Sequence, residues 1–275
     1  MATPVRVRQR TIGDYEVVAA RQGNEFIGHV RGPKGAGPTL RRSKLEHLWN
    51  ELLTEVSRSG PDYLGFEGAI ERFLHFFHSG FSSTDYNKPK GEGGYKREAQ
   101  KKLLESLTLE QAVDAEGAGR AVLDVFRATD LVDPRWERPK VEAVLNSPDA
   151  DAFVQSIARF AQAPGSATLR GIEAVLRPHD AAKWTILTYL PFLWEPGQHM
   201  FLKPEVMKDY ASRVGHRFAF EYDSVLDFAV YESLLDLAAS TEREIVNLGP
   251  RDRIDIQSFI WVVGSYEKGR EQPHE

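Results

Sequence analysis

The chain contains no cysteine. Disulfides, thiolate nucleophiles and every zinc or iron–sulfur site built on Cys are excluded, so any metal would have to be held by His, Asp and Glu. Nor is there an apolar run that could cross a bilayer, which takes about 20 residues. The most apolar stretch, Trp184–Trp194, is too short and is interrupted by Pro191. It reads as a buried helix, and no membrane partner is expected. Met1–Arg10 is basic but leads into no hydrophobic segment, which argues against a secretion signal. The expected location is cytoplasmic. No internal repeat of fixed period is present. What is present is ordinary for a globular chain: 41% hydrophobic and 27% charged residues over 275 positions, enough for one or two domains and a core of normal size.

Charge is unevenly spread. The first 44 residues hold nine Lys/Arg and three Asp/Glu, a net of +6, and the remainder carries −11. A basic segment of this kind favours a polyanion. The same segment has strand periodicity. Val5–Arg10, Tyr15–Ala20 and Phe26–Arg31 read as three strands, separated by turn signals at Gly13-Asp14 and Gly23-Asn24. A helix follows from about Arg42, with Leu45, Leu48, Trp49, Leu52, Leu53 and Val56 on one stripe, and Gly60-Pro61 ends it. From Tyr63 onward nearly every segment has helical spacing. Thr108-Leu-Glu-Gln111 is a capping box, Gly215 suits a helix C-terminus, and Asp252 can cap the last helix. The expected fold is α+β, predominantly α: a basic β-meander–helix module over 1–59 and a helical body over 60–275.

Five groups of residues are candidates for function. Arg6, Arg8 and Arg10 alternate and should share one strand face, and Arg31, Lys34, Arg41 and Arg42 extend the basic surface. The alternatives are a solvated face or a surface that docks on protein. The segment Lys88 to Arg97 places Gly91, Gly93 and Gly94 before a helix, flanked by Lys88, Lys90, Lys96 and Arg97. It can be a mobile solvated loop or a phosphate-contacting one, but it lacks the Gly-Lys-Ser/Thr ending of a P-loop. On a helix over 66–78, Glu71, His75 and His78 share a sector. They can be solvated Glu–His pairs or, with a further ligand, a divalent-metal site. His199 and Lys203 bracket an apolar connector that reads either as a pocket wall or as a buried link. Asp255 and Gln257 sit in the first turns of the last helix, as ligand contacts or as part of a capped core helix.

Two stretches, His-Met-Phe-Leu-Lys-Pro at 199–204 and Ile-Asp-Ile-Gln-Ser-Phe-Ile-Trp-Val-Val at 254–263, resemble an uncharacterised bacterial family over about residues 95–265. That resemblance implies a bacterial, mostly helical protein and transfers no activity or catalytic residue. The N-terminal outline resembles small sheet modules of DNA-binding arm domains and antitoxin-like proteins. The reading that follows is a cytoplasmic nucleic-acid-associated protein, in a setting such as an accessory of antiviral defence or a mobile element, with no cofactor. A metal-dependent hydrolase or nuclease using Glu71, His75 and His78, and a scaffold that docks a protein partner, are the alternatives.

Overall fold

The computed structural model describes residues 3–266; the first two residues and the last nine of the expected helical body lie outside the described residues. Alternating apolar residues and two Gly-containing turns build the N-terminal sheet. Strands β1 (Val5–Ile12), β2 (Tyr15–Gln22) and β3 (Glu25–Gly32) form an antiparallel meander. The connecting turns are two residues long, and Gly13 and Gly23 have φ of 53° and 64°, the left-handed backbone that such tight hairpins require. Two further strands appear beyond the three expected. Strand β4 (Gly35–Ala36) and strand β5 (Leu40–Arg42) both pair with β3, so the chain over 33–42 folds back along the sheet.

Helix α1 (Leu45–Arg58) covers one face of the sheet. Its stripe, Leu48, Trp49, Leu52, Leu53 and Val56, is buried against Val17 and Ala19 of β2. Burying each large apolar side chain contributes roughly 1.5–3 kcal/mol, which suffices to hold a helix to a small sheet. This core is separate from that of the helical body, and Phe220 of the body packs against it.

The body comprises α2 (Gly65–Phe76), α3 (Thr84–Asn87), α4 (Gly94–Ser106), α5 (Leu109–Ala112), α6 (Gly119–Phe126), α7 (Arg138–Leu145) and α8 (Ala150–Gln162). It continues with α9 (Ser166–Leu176), α10 (Trp184–Trp194), α11 (Pro204–Val214), α12 (Phe218–Glu221), α13 (Phe228–Glu244) and α14 (Arg253–Ser265). Every residue of α10 is buried, and α4, α8 and α14 pack around it. The expected signals operate where they stand in the sequence. Thr108 and Gln111 form the reciprocal capping box of α5, Gly215 ends α11 at φ 77°, and the Asp252 side chain accepts from the Ile254 backbone N–H at the start of α14. Among the described residues no helix is long and apolar enough to cross a membrane.

Candidate nucleic-acid interface and a polar cleft

Strand pairing sorts the N-terminal cations onto two faces. Paired residues in an antiparallel sheet point to the same side. Arg8 pairs with Ala19 and Arg10 with Val17, so both lie on the α1 side. Arg6 pairs with Ala20 and therefore points the other way. The cause is a β-bulge: Val7 has no partner, and the extra residue inverts the alternation. The three arginines therefore do not share a face, contrary to their spacing. The α1-side cations are tied into the fold. Arg8 pairs with Glu46 at 3.3 Å and lies over the Trp49 ring. Arg10 donates to the Phe220 carbonyl of the body. Arg42, beside Phe26, makes a two-pronged contact with Glu51 of α1.

The opposite face is not covered by α1. Across it run Arg6, Ala20, Ile27 and Arg41 in one row, Gln9, Val18 and His29 in the next, and Thr11, Glu16 and Arg31 in a third. Arg6, Arg31 and Arg41 are exposed. The nearest carboxylates to Arg31 and Arg41 are Glu16 at 4.0 Å and Glu25 at 3.9 Å. Such long, solvated pairs contribute little. Lys34 is exposed in the turn between β3 and β4.

The glycine-rich segment is built differently from a mobile phosphate loop. Phe81 and Tyr86 anchor it in the core against Phe73, and Gly91, Glu92, Gly93 and Gly94 are all buried. Lys96, which the sequence placed among the phosphate contacts, is enclosed. Its ammonium bonds Glu92 and, at 2.8 Å, the Ser258 hydroxyl. Burial pulls the Lys96 pKa below the ordinary lysine value, with Glu92 opposing. Tyr266 donates its hydroxyl to the other Glu92 oxygen at 3.3 Å. Arg97 is likewise engaged, gripping Asp252 at 2.5 and 2.8 Å and reaching Asp255 at 3.1 Å. Asp255 is fully buried and accepts from Tyr86 and from the side chain and backbone of Arg251. Burial alone would raise its pKa, but these donors together hold it below the usual carboxylate range. A polar network thus fastens the start of α4 to α14. Lys88 and Lys90 remain exposed at the loop's surface, Lys88 beside Asp85 at 3.3 Å.

Beside this network opens a cleft of about 690 Å³. Its walls come from three regions: Lys90, Glu92 and Tyr95; Arg127 to Leu131 with Asp133 and Pro134; and Lys203 with Trp261. The Lys203 ammonium lies 5.2 Å from the Trp261 ring centre, within range of a cation–π contact. Of the four residues expected to form a pocket, only Lys203 lines this cleft. Asp255 belongs to the network, and Gln257 is enclosed in the core, its amide meeting no hydrogen-bond partner among the described residues.

His199 is a core residue. One ring nitrogen lies 2.8 Å from the Tyr231 hydroxyl and the other 2.9 Å from the Ala161 carbonyl. A neutral ring that donates to Ala161 and accepts from Tyr231 satisfies both. Burial, against the opposing pull of the Ala161 carbonyl, lowers its pKa to about 4. The unfolded chain binds this proton near pH 6.5 and the folded chain does not, so the stability attached to the neutral ring is complete above pH 6.5. It declines as the pH falls toward 4. Between pH 7 and 4.5 the wild type should lose roughly 2–3 kcal/mol more than His199→Gln, read from urea midpoints at the two pH values. Equal losses would show that His199 titrates normally.

Glu71, His75 and His78 are exposed. Helix α2 stops at Phe76 and Phe77 leaves helical backbone, so His78 is not held in helical phase with Glu71. Among the described residues no group of three or more His, Asp or Glu is placed to hold a metal ion. Sequence reasoning missed Trp261, Tyr95 and Arg127. Trp261 and Tyr95 stood inside segments singled out for other residues, whereas Arg127 carried no signal. Comparison with protein-family models, with curated proteins and with solved structures gives no match.

Proposed function

We propose that the chain binds nucleic acid through the uncovered face of its N-terminal sheet. The observation that carries this reading is the outward set Arg6, Arg31 and Arg41 on a face that α1 leaves open. Arginines on a sheet can sit on successive phosphates, and weak exposed pairs with Glu16 and Glu25 are readily exchanged for them. Val18, Ala20 and Ile27 between the arginines provide a flat apolar floor, and Lys34 extends the basic rim. The negative body, held behind α1, would keep phosphates on the sheet side.

The test is a fluorescence-anisotropy titration of a labelled duplex with the full chain at several salt concentrations. Arg6→Ala, Arg31→Ala and Arg41→Ala combined should weaken binding and flatten the log–log salt slope by about one unit per arginine removed. Lys101→Ala with Arg120→Ala, two exposed cations of the body, should leave both unchanged. Equal binding by the triple variant and the wild type would refute the assignment.

A further inference from the structure

We propose that the open edge of β1 docks an extended, acidic segment of another protein as an added strand. That strand would pair with the backbone of Gln9 and Thr11 and set its carboxylates on the face of the sheet that carries Arg6.

The two edges of the sheet are built differently. Beyond β3 the chain folds back as β4 and β5 and closes that side. Strand β1 runs for eight residues, and its one neighbour in the sheet is β2. Ile12 and Tyr15 flank the two-residue turn, the position at which a hairpin exchanges both ladder bonds. Arg10 and Arg8 follow at every second residue, so the N–H and C=O groups of Gln9 and Thr11 point away from β2. Among the described residues nothing hydrogen-bonds these four backbone groups, and Gln9 and Thr11 are exposed. An exposed edge of this kind is a template for one more strand.

Charge selects the occupant. Residues 3–12 contain three arginines and no Asp or Glu. Arg8 is matched by Glu46. Arg6 donates to Gln9 and Arg10 to the Phe220 carbonyl, and neither has an ion pair with any described residue. On the α1 side, the cleft beside Arg10 also holds Glu221, Asp223, Asp227 and Glu232 of the body, so that side is mixed in sign. On the opposite face the added strand would lie directly beside Arg6, Gln9 and Thr11. The first carboxylate there, Glu16, is one strand further in and accepts from the Gln9 amide at 2.6 Å. The fitting strand is therefore acidic on the Arg6 face and apolar on the other. A second copy of this chain fits badly. Antiparallel pairing over 6–12 would set Arg8 of one strand against Arg10 of the other, and like charges directly opposite are destabilising. The bulge at Val7 adds a twist that also opposes flat self-pairing. The arginines thus turn away a copy of the chain and admit an acidic strand. The inference uses neither Arg31 nor Arg41 and does not rest on the nucleic-acid reading.

The experiment is amide hydrogen exchange, read by NMR on the isotope-labelled full chain, with an end-blocked peptide of alternating Glu and Val as long as β1. The peptide should bind saturably below about 1 mM. At saturation it should slow exchange at Gln9 and Thr11 by about tenfold or more, and leave Arg8 and Arg10, already bonded to β2, unchanged. A peptide of alternating Lys and Val should do neither. Thr11→Pro removes an outward N–H and spares the β2 ladder, and should weaken the Glu peptide by about tenfold. Arg6→Ala should weaken it by about threefold. The proposal is overturned if the Glu peptide does not saturate, if it binds without slowing these two amides, or if the Lys peptide binds equally well. Slowing that grows with protein concentration alone would assign the edge to a second copy. Slowing by a DNA duplex and not by the peptide would make the edge part of a nucleic-acid interface. Either result overturns the proposal, and the wild-type exchange decides it even where Thr11→Pro fails to fold.

Discussion

Asp255→Ala should cost about 3–5 kcal/mol of folding stability, the scale for breaking a buried ion pair from one side. Asp255 is fully buried. Tyr86 donates to it at 2.7 Å, the Arg251 backbone at 2.9 Å and the Arg251 guanidinium at 2.8 Å, with Arg97 3.1 Å away. Removing the carboxylate leaves the buried Tyr86 hydroxyl without its acceptor and Arg97 with Asp252 alone. The Arg251 side chain is half exposed and can turn to water, so the loss falls mainly on Tyr86 and Arg97. Asp255→Asn, which keeps an acceptor of the same shape, should lose less. Because the folded-state pKa of Asp255 lies below its ordinary value, its contribution is present above about pH 4 and is lost as the pH falls further. Guanidinium unfolding at pH 7 measures the effect. A loss under about 1 kcal/mol would mean that the network contributes little and that α4 and α14 are held by apolar packing.

Gly94→Ala should be nearly as damaging, at about 3 kcal/mol, the upper part of the range for overpacking a core. A Cβ on Gly94 would lie 1.9 Å from the Lys88 carbonyl oxygen and 2.8 Å from its carbon. Both are backbone atoms, so no side-chain rotation relieves the clash. The loop that carries Lys90, Glu92 and Tyr95 would have to move, and the cleft with it. Gly197→Ala is the control. Nothing lies within 4 Å of its added Cβ, so its stability should stay within about 1 kcal/mol of wild type. Comparable melting temperatures for Gly94→Ala and wild type would contradict the close packing of this loop.

Much of the fold was legible because it rests on local rules. The two Gly-containing turns, the α1 stripe, the Thr108 capping box and the Asp252 cap act within a few residues of where they are written. The buried character of Trp184–Trp194 was equally readable, since a helix apolar on every side must lie inside a protein. What escaped were features set by partners distant in sequence. The bulge at Val7 exists only through the register with β2, and it reversed the expected side of Arg6. Lys96 and Arg97 looked like loop cations because Ser258, Asp252 and Asp255 lie more than 150 positions away. Glycines 91, 93 and 94 suggested mobility, yet they are there because backbone and the Tyr86 ring leave no room for a Cβ. His199 looked like a pocket residue until Tyr231 and Ala161 appeared on its two nitrogens. Lys203 and Trp261 stood in different stretches, and only the packing of α14 beside the 199–204 connector brings them together.

The most direct test of the account is the salt dependence of duplex binding by the wild-type chain. If Arg6, Arg31 and Arg41 meet phosphates, the observed association constant should fall with salt on a log–log slope of about −3, with ready binding at low salt. No binding at low salt, or a slope near zero, would contradict it and return the sheet face to a solvated or protein-docking role.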